Sequence, residues 1–119
     1  MQFGLLIYQG TTPLPNTPEW ATLSEDEQRA VYADYAAIGQ MDNVTPGLPL
    51  GLPEKAKTVR VDHGAALVTD GPYVDVKGAI GGFFVLEADH IDAAIALASR
   101  IPAARHGGGI EIRPIETYW

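Results

Sequence analysis

The sequence predicts an α+β domain in the order βαββαβ, with a β-hairpin inserted after the second strand. Three observations predict it. Apolar strand-like runs open the chain (2–8) and recur at 80–87. Two segments with helical spacing, about 24–40 and 90–101, each follow a capping residue and precede a breaker. Between them, 58–69 alternates and reverses at His63-Gly64. Without the hairpin the order is the ferredoxin-like pattern. At 119 residues, 1–119 reads as one domain.

Phe3, Leu5 and Ile7 alternate with Gly4, Leu6 and Tyr8, so both faces of the first strand are largely apolar. Pro13, Pro15 and Pro18 make the next stretch a loop. Ser24 and Glu27 form a capping box, with Glu25 and Asp26 in the dipole-favoured first turn. Val31, Tyr35 and Ile38 follow at helical spacing. Pro46, Pro49 and Pro53 restrict 44–53 to an edge strand or an extended loop, because proline lacks the N–H that a central ladder needs.

Thr58–Asp62 and Ala66–Thr69 pair as the hairpin, and Asp70-Gly71-Pro72 turns the chain again. In the strand 80–87, Gly81 and Gly82 imply a bulge or a close backbone approach. Asp89 is placed to cap the second helix, whose expected buried stripe is Ile91, Ala94, Ile95, Ala98 and Ile101, ending at Pro102. Gly107–Gly109 reads as a flexible joint before a last strand, Ile110–Ile115.

Two helices cover only one face of a four-stranded sheet. Strands apolar on both faces then need a second cover, and the simplest is a second copy packed sheet to sheet about a two-fold axis, a homodimer.

Composition narrows the function classes. Asp and Glu number 15 against 8 Lys and Arg, a formal charge of −7, which opposes a nucleic-acid or anionic-membrane partner. No apolar run approaches the ~20 residues that span a bilayer. The start, MQFGLLIYQ, has no basic region and no cleavage-site pattern, so a cytoplasmic protein is expected. Without cysteine there is no disulfide, thiolate metal site or cysteine nucleophile. His63, His90 and His106 lack metal-ligand spacing, so neither a metal nor a cofactor is expected.

The candidate site residues each carry two readings. Asp70, at a strand end on a rigid turn, is a general base or ligand anchor, or simply an Asx-turn residue. Asp34 is one helical turn from Val31 and Ile38, so its carboxylate either enters a cleft under the sheet or sits on a solvated flank. Tyr8 and Tyr35 are core residues with polar tips, which hold a ligand oxygen if they meet in one cleft. Arg113 binds a ligand carboxylate bidentately, or pairs with Glu87 or across a dimer. His106 folds over a cleft on the glycine joint, or is a surface side chain.

Four motifs then combine: Asp70-Gly71-Pro72-Tyr73, Gly82-Phe83-Phe84, Ser99-Arg100-Ile101-Pro102 and Glu111-Ile112-Arg113-Pro114. Together with Leu5–Tyr8 and the Leu23-Ser24-x-x-Glu27 helix start, they resemble the YCII-related, or DGPF-domain, family over nearly the whole chain. The resemblance implies a ferredoxin-like fold, dimers of the α/β-barrel type and a sheet–helix cleft that acts on small molecules. It implies no assigned activity, and a frequent neighbourhood of genes for extracytoplasmic-function sigma factors. Some relatives carry a His–Asp pair with the histidine near the first helix, but residues 19–42 here contain none. Two functions follow. One is a small-molecule-binding module, whose regulatory context is implied by that neighbourhood alone. The other is a cofactor-independent enzyme of acid–base lyase, isomerase or monooxygenase type, using Asp70 with the tyrosines.

Overall fold

A computed structural model of the chain describes residues 1–75 and 78–119. In chain order the elements are β1 (Gln2–Tyr8), α1 (Glu25–Gly39), β2 (Val44–Pro49), β3 (Lys57–Asp62), β4 (Ala65–Asp70), β5 (Ile80–Glu87), α2 (Ile91–Ala98) and β6 (Gly109–Pro114). Short 3-10 turns lie at Pro18–Thr22, Pro53–Lys55 and Pro102–Ala104. The fold is a mixed α/β arrangement of two helices and two antiparallel sheets. Four strands pair antiparallel in the order β2-β5-β1-β6, and β3-β4 form a separate ribbon.

The alternation of β1 sorts its side chains cleanly. Phe3, Leu5 and Ile7 are buried, whereas Gly4, Leu6 and Tyr8 are only half-buried. Leu5 lies opposite Phe84 and Ile112, so three strands send apolar groups to one face. Ile38 of α1, Ala94, Leu97 and Ala98 of α2, and Ile101 and Ala103 beyond it close over that face. The other face carries Leu6, Phe83, Val85 and Leu48, and no helix among the described residues covers it. The first helix is capped as its sequence requires: the Glu27 N–H donates to Ser24 Oγ at 3.1 Å, and the Ser24 N–H donates to Glu27 Oε1 at 3.2 Å. Val44–Pro49 is an edge strand, the position that tolerates Pro49.

Three details differ from the sequence reading. The cap of α2 is His90, whose Nδ1 accepts from the Asp92 N–H, and not Asp89. The helix ends at Ala98, and its buried stripe is Ala94, Leu97 and Ala98. Ile91 and Ile95 are 39% and 52% exposed. Ala94 is fully buried, so Ile95, about 100° further round the helix, turns away from the core. Finally, Gly107–Gly109 is packed against the 8–12 segment. A Cβ on Gly108 would stand 2.2 Å from the Tyr8 carbonyl oxygen, and one on Gly10 would stand 2.2 Å from that of Gly107. The Thr11 N–H donates to that Gly107 carbonyl at 3.2 Å.

Candidate ligand-binding cleft

The cleft forms where β1, β5 and β2 end beneath α1. Pairing of β1 with β5 slips after Ile7, which faces Gly82, while Tyr8 faces Ile80. Gly81 is the extra residue of that bulge. The Gln9 side chain occupies the space that a Cβ on Gly81 would need, with Cγ 2.3 Å from that position. A cavity of about 350 Å³ opens here, with Ile7, Tyr35, Leu48, Phe83 and Phe84 among its walls and no charged side chain in its lining. A second hollow of about 320 Å³ shares Gln9, Tyr35, Pro49 and Gly81 with it and extends beneath the loops 9–15 and 49–54. A third, of about 540 Å³, lies beyond β5 and is lined by Tyr8, Ile80, Leu50–Pro53 and Pro72–Val74.

Tyr35 is central to this geometry. Its ring stacks on Phe84 at 6.3 Å between centroids. Burial pushes its phenol above the ordinary tyrosine value, with the positive charge of Arg105 partly opposing. The hydroxyl is therefore a neutral hydrogen-bond donor at physiological pH. Arg105 is held in place by Asp34, its Nη2 2.6 Å from Oδ2, a bond that ties α1 to the segment after α2. Two other polar atoms at the cleft, Gln9 Oε1 and Thr12 Oγ1, are shielded from solvent without a hydrogen-bond partner among the described residues. Buried polar atoms of this kind are uncommon and call for a partner.

The sequence-derived candidates divide among several places. Tyr35 lines the cleft, and Asp34 sits at its flank in the Arg105 ion pair. Tyr8 lines the third hollow, so the two tyrosine tips do not share one cavity. Asp70 closes β4, forms an exposed ion pair with Lys57 across the ribbon and borders none of these hollows. Within one chain it does not join the tyrosines. His106 borders none of these hollows; its charge acts on the exposed Glu27, whose carboxyl is lowered first by its Ser24 hydrogen bonds and last by the histidine. Arg113 is exposed on the open sheet face opposite Gly4. Glu87, one partner considered for it, accepts instead from the N-terminal ammonium at 3.2 Å. Gln9, Thr12 and Arg105 were not legible as site residues. Gln9 follows an apolar strand with no motif around it, and Arg105 meets Asp34 across 71 positions.

Among the described residues, no three His, Asp or Glu side chains are grouped to hold a metal ion, and no helix is long and apolar enough to cross a membrane. The family model for the YCII-related domain matches residues 1–118. An uncharacterized protein of Rhizobium meliloti (strain 1021) is 29% identical over 124 residues, covering 99% of this chain and 94% of the relative. Among solved structures, the chain is similar to a 5-chloro-2-hydroxyhydroquinone dehydrochlorinase of Burkholderia phenoliruptrix AC1100, in complex with 2,5-dihydroxybenzoquinone. That likeness has a TM-score of 0.48 and 16% identity, over 98% of this chain and 94% of the other.

Proposed function

The chain belongs to the YCII-related domain family, and from that premise we propose that it is a single-domain, cytoplasmic, homodimeric protein that binds a small neutral organic molecule in the cleft at Tyr35. The observation that carries this reading is the cleft's chemistry. A half-buried phenol and an unpaired carboxamide oxygen stand in otherwise apolar, uncharged walls. The phenol donates to a ligand oxygen, and Gln9 Oε1 accepts from a ligand hydroxyl or amide. Apolar walls with a few placed polar groups are the usual make-up of small-molecule sites. A charged phosphate or carboxylate would find no counter-charge in the lining of that cavity. The order β2-β5-β1-β6 supports a ferredoxin-like reading of the sheet, and its uncovered apolar face supports a sheet-to-sheet dimer. The charge of −7 supports a role away from nucleic acid.

The test is a thermal-shift screen of neutral hydroxylated and carbonyl compounds, repeated with Tyr35→Phe. Binding to the native state raises the melting temperature. The expected result is a shift that Tyr35→Phe reduces. Full shifts in the variant, or none with any neutral compound in the unsubstituted protein, count against the cleft.

A second reading, an acid–base enzyme without cofactor, is favoured by the ion pair of Arg105 with Asp34, the residue next to Tyr35, which brings a positive charge near the phenol. It makes the phenol a proton donor whose anion Arg105 steadies, and Asp70 takes no part in it. Turnover of a bound compound that Tyr35→Phe abolishes, with binding retained, selects this reading.

A further inference from the structure

The β3-β4 ribbon stands apart from the rest of the fold. Every residue of both strands is exposed except Thr58, which is partly covered. Yet the ribbon is held at both its tip and its root. His63 and Gly64 take φ of 48° and 80° at its tip, the left-handed pair that a two-residue hairpin turn requires. At its root the Gly71 N–H donates to the Ala56 carbonyl at 2.8 Å, and Thr58 Oγ1 donates to the Gly71 carbonyl at 2.7 Å. An isolated two-stranded ribbon is marginal in water. This one nevertheless presents an apolar face, because Val59 lies opposite Val68 and Val61 opposite Ala66. The three valines are 60%, 62% and 71% exposed, in the order Val59, Val68, Val61.

The surface of the whole chain says how large the missing cover is. The accessible area is 8138 Å², against about 6,200 Å² expected for a monomer of this mass. The radius of gyration is 16.1 Å, against about 13.5 Å for a compact chain of this length. An excess of about 1,900 Å² matches what one subunit buries in an obligate homodimer, roughly 1,000–2,500 Å². It exceeds the few hundred Å² that a monomer leaves as a functional patch. Exposed apolar groups lie on the ribbon, on the open sheet face and on the tail from Ile115 to Trp119, besides others on both helices and in the loops around Leu50 and Tyr73. A two-fold axis covers ribbon and sheet at once, because each copy supplies both surfaces.

We propose that the ribbon is an exchanged arm: its Val59–Val61–Val68 face packs on a second copy of this chain, and the second copy's arm packs back. This rests on the homodimer reading and goes beyond it, since a sheet-to-sheet dimer does not require the arm. The arm root also borders a cavity. Ala56 and Pro72, at the foot of the ribbon, line the third hollow, so docking of the arm holds one wall of that hollow still.

Two measurements test the arm separately from the dimer. Val59→Lys with Val68→Glu places opposite charges across the ribbon, which keeps the ribbon paired while removing its apolar face. Sedimentation equilibrium is expected to give a dimer dissociation constant raised about tenfold or more. A smaller change, with the dimer intact, overturns the arm and leaves the dimer standing. The second measurement needs no loss of stability. The chain has no cysteine, so Arg60→Cys, on the ribbon's other face, takes one spin label. Mixed with an isotope-labelled, unsubstituted copy, it is expected to broaden amides of that copy. Absence of intermolecular broadening in a confirmed dimer overturns the arm. A monomer by light scattering at tens of micromolar overturns both readings.

Discussion

Replacing Gly108 with alanine distinguishes a packed glycine from a flexible one. The sequence alone reads Gly107–Gly109 as a joint. In that case alanine at 108 or at 109 should stabilise modestly, by about 0.4–1 kcal/mol, through the unfolded chain. The structure separates the two positions. A Cβ at 108 would stand 2.2 Å from the Tyr8 carbonyl oxygen and 2.7 Å from that of Gln9, whereas at 109 nothing lies within 4 Å. Gly108 is not in the left-handed region, so space alone demands glycine there. Both obstructing atoms are backbone, and Tyr8 is fixed between Gly109 and Ile80 in the sheet. Overpacking of this kind costs roughly 1–3 kcal/mol, and rigid neighbours put it near the top. After the unfolded-state gain, Gly108→Ala is expected to lose about 2 kcal/mol, or ~8 °C of melting temperature. Gly109→Ala is expected to gain about 0.4–1 kcal/mol, or ~2–4 °C. Circular-dichroism melts at one fixed protein concentration read both, because any oligomer makes the midpoint concentration-dependent. If Gly108→Ala melts at or above the unsubstituted protein, the close approach is wrong.

Further outcomes follow from the same contacts. Asp34→Asn is expected to cost about 0.5–1 kcal/mol, since Asp34 and Arg105 are 36% and 40% exposed and water screens the pair. A double-mutant cycle with Arg105→Gln in low and high salt measures it, and a coupling near zero counts against the pair. The folded-state pKa of Tyr35 is raised above the ordinary 10.0. Its contribution is therefore complete below pH 10 and falls away as pH climbs through the folded value. Denaturant titrations from pH 9 to 11.5 should show a loss of stability that Tyr35→Phe flattens, and identical alkaline limbs would contradict this. On α2, Leu97→Ala is expected to cost about 2–4 kcal/mol and Ile95→Ala under about 1 kcal/mol. Urea midpoints that reverse this order would mean that the opposite helix face is buried.

The candidate site was less legible than the fold. Of the six residues singled out from sequence, Tyr35 lines the main cleft and Asp34 flanks it. Tyr35 could be found because helical spacing with Val31 and Ile38 turns it toward the core. Asp70 drew attention as a carboxylate on a rigid turn, which is a local property. Whether such a turn borders a cavity depends on where the ribbon projects, and the ribbon projects away. Tyr8 and Tyr35 each have a half-buried ring and a polar tip, yet they sit on opposite sides of the sheet's end. Alternation along β1 assigns Tyr8 to the face opposite Ile7, but it carries no information about where α1 places Tyr35.

What the sequence determined by itself is the set of elements, because each is decided within a few residues. The Ser24–Glu27 box starts one helix, His63-Gly64 turns the ribbon, and alternation marks β1. The family motifs are equally local, and the family model matches residues 1–118. Only the tertiary structure decided which face of α2 is buried, why Gly108 must be glycine, that Arg105 steadies Asp34 across 71 positions, and that Gln9 fills the space beside Gly81. Those contacts depend on the rotation of a helix on the sheet and on the path of loops. Both are set by how all the side chains pack at once, and no single stretch of chain encodes either.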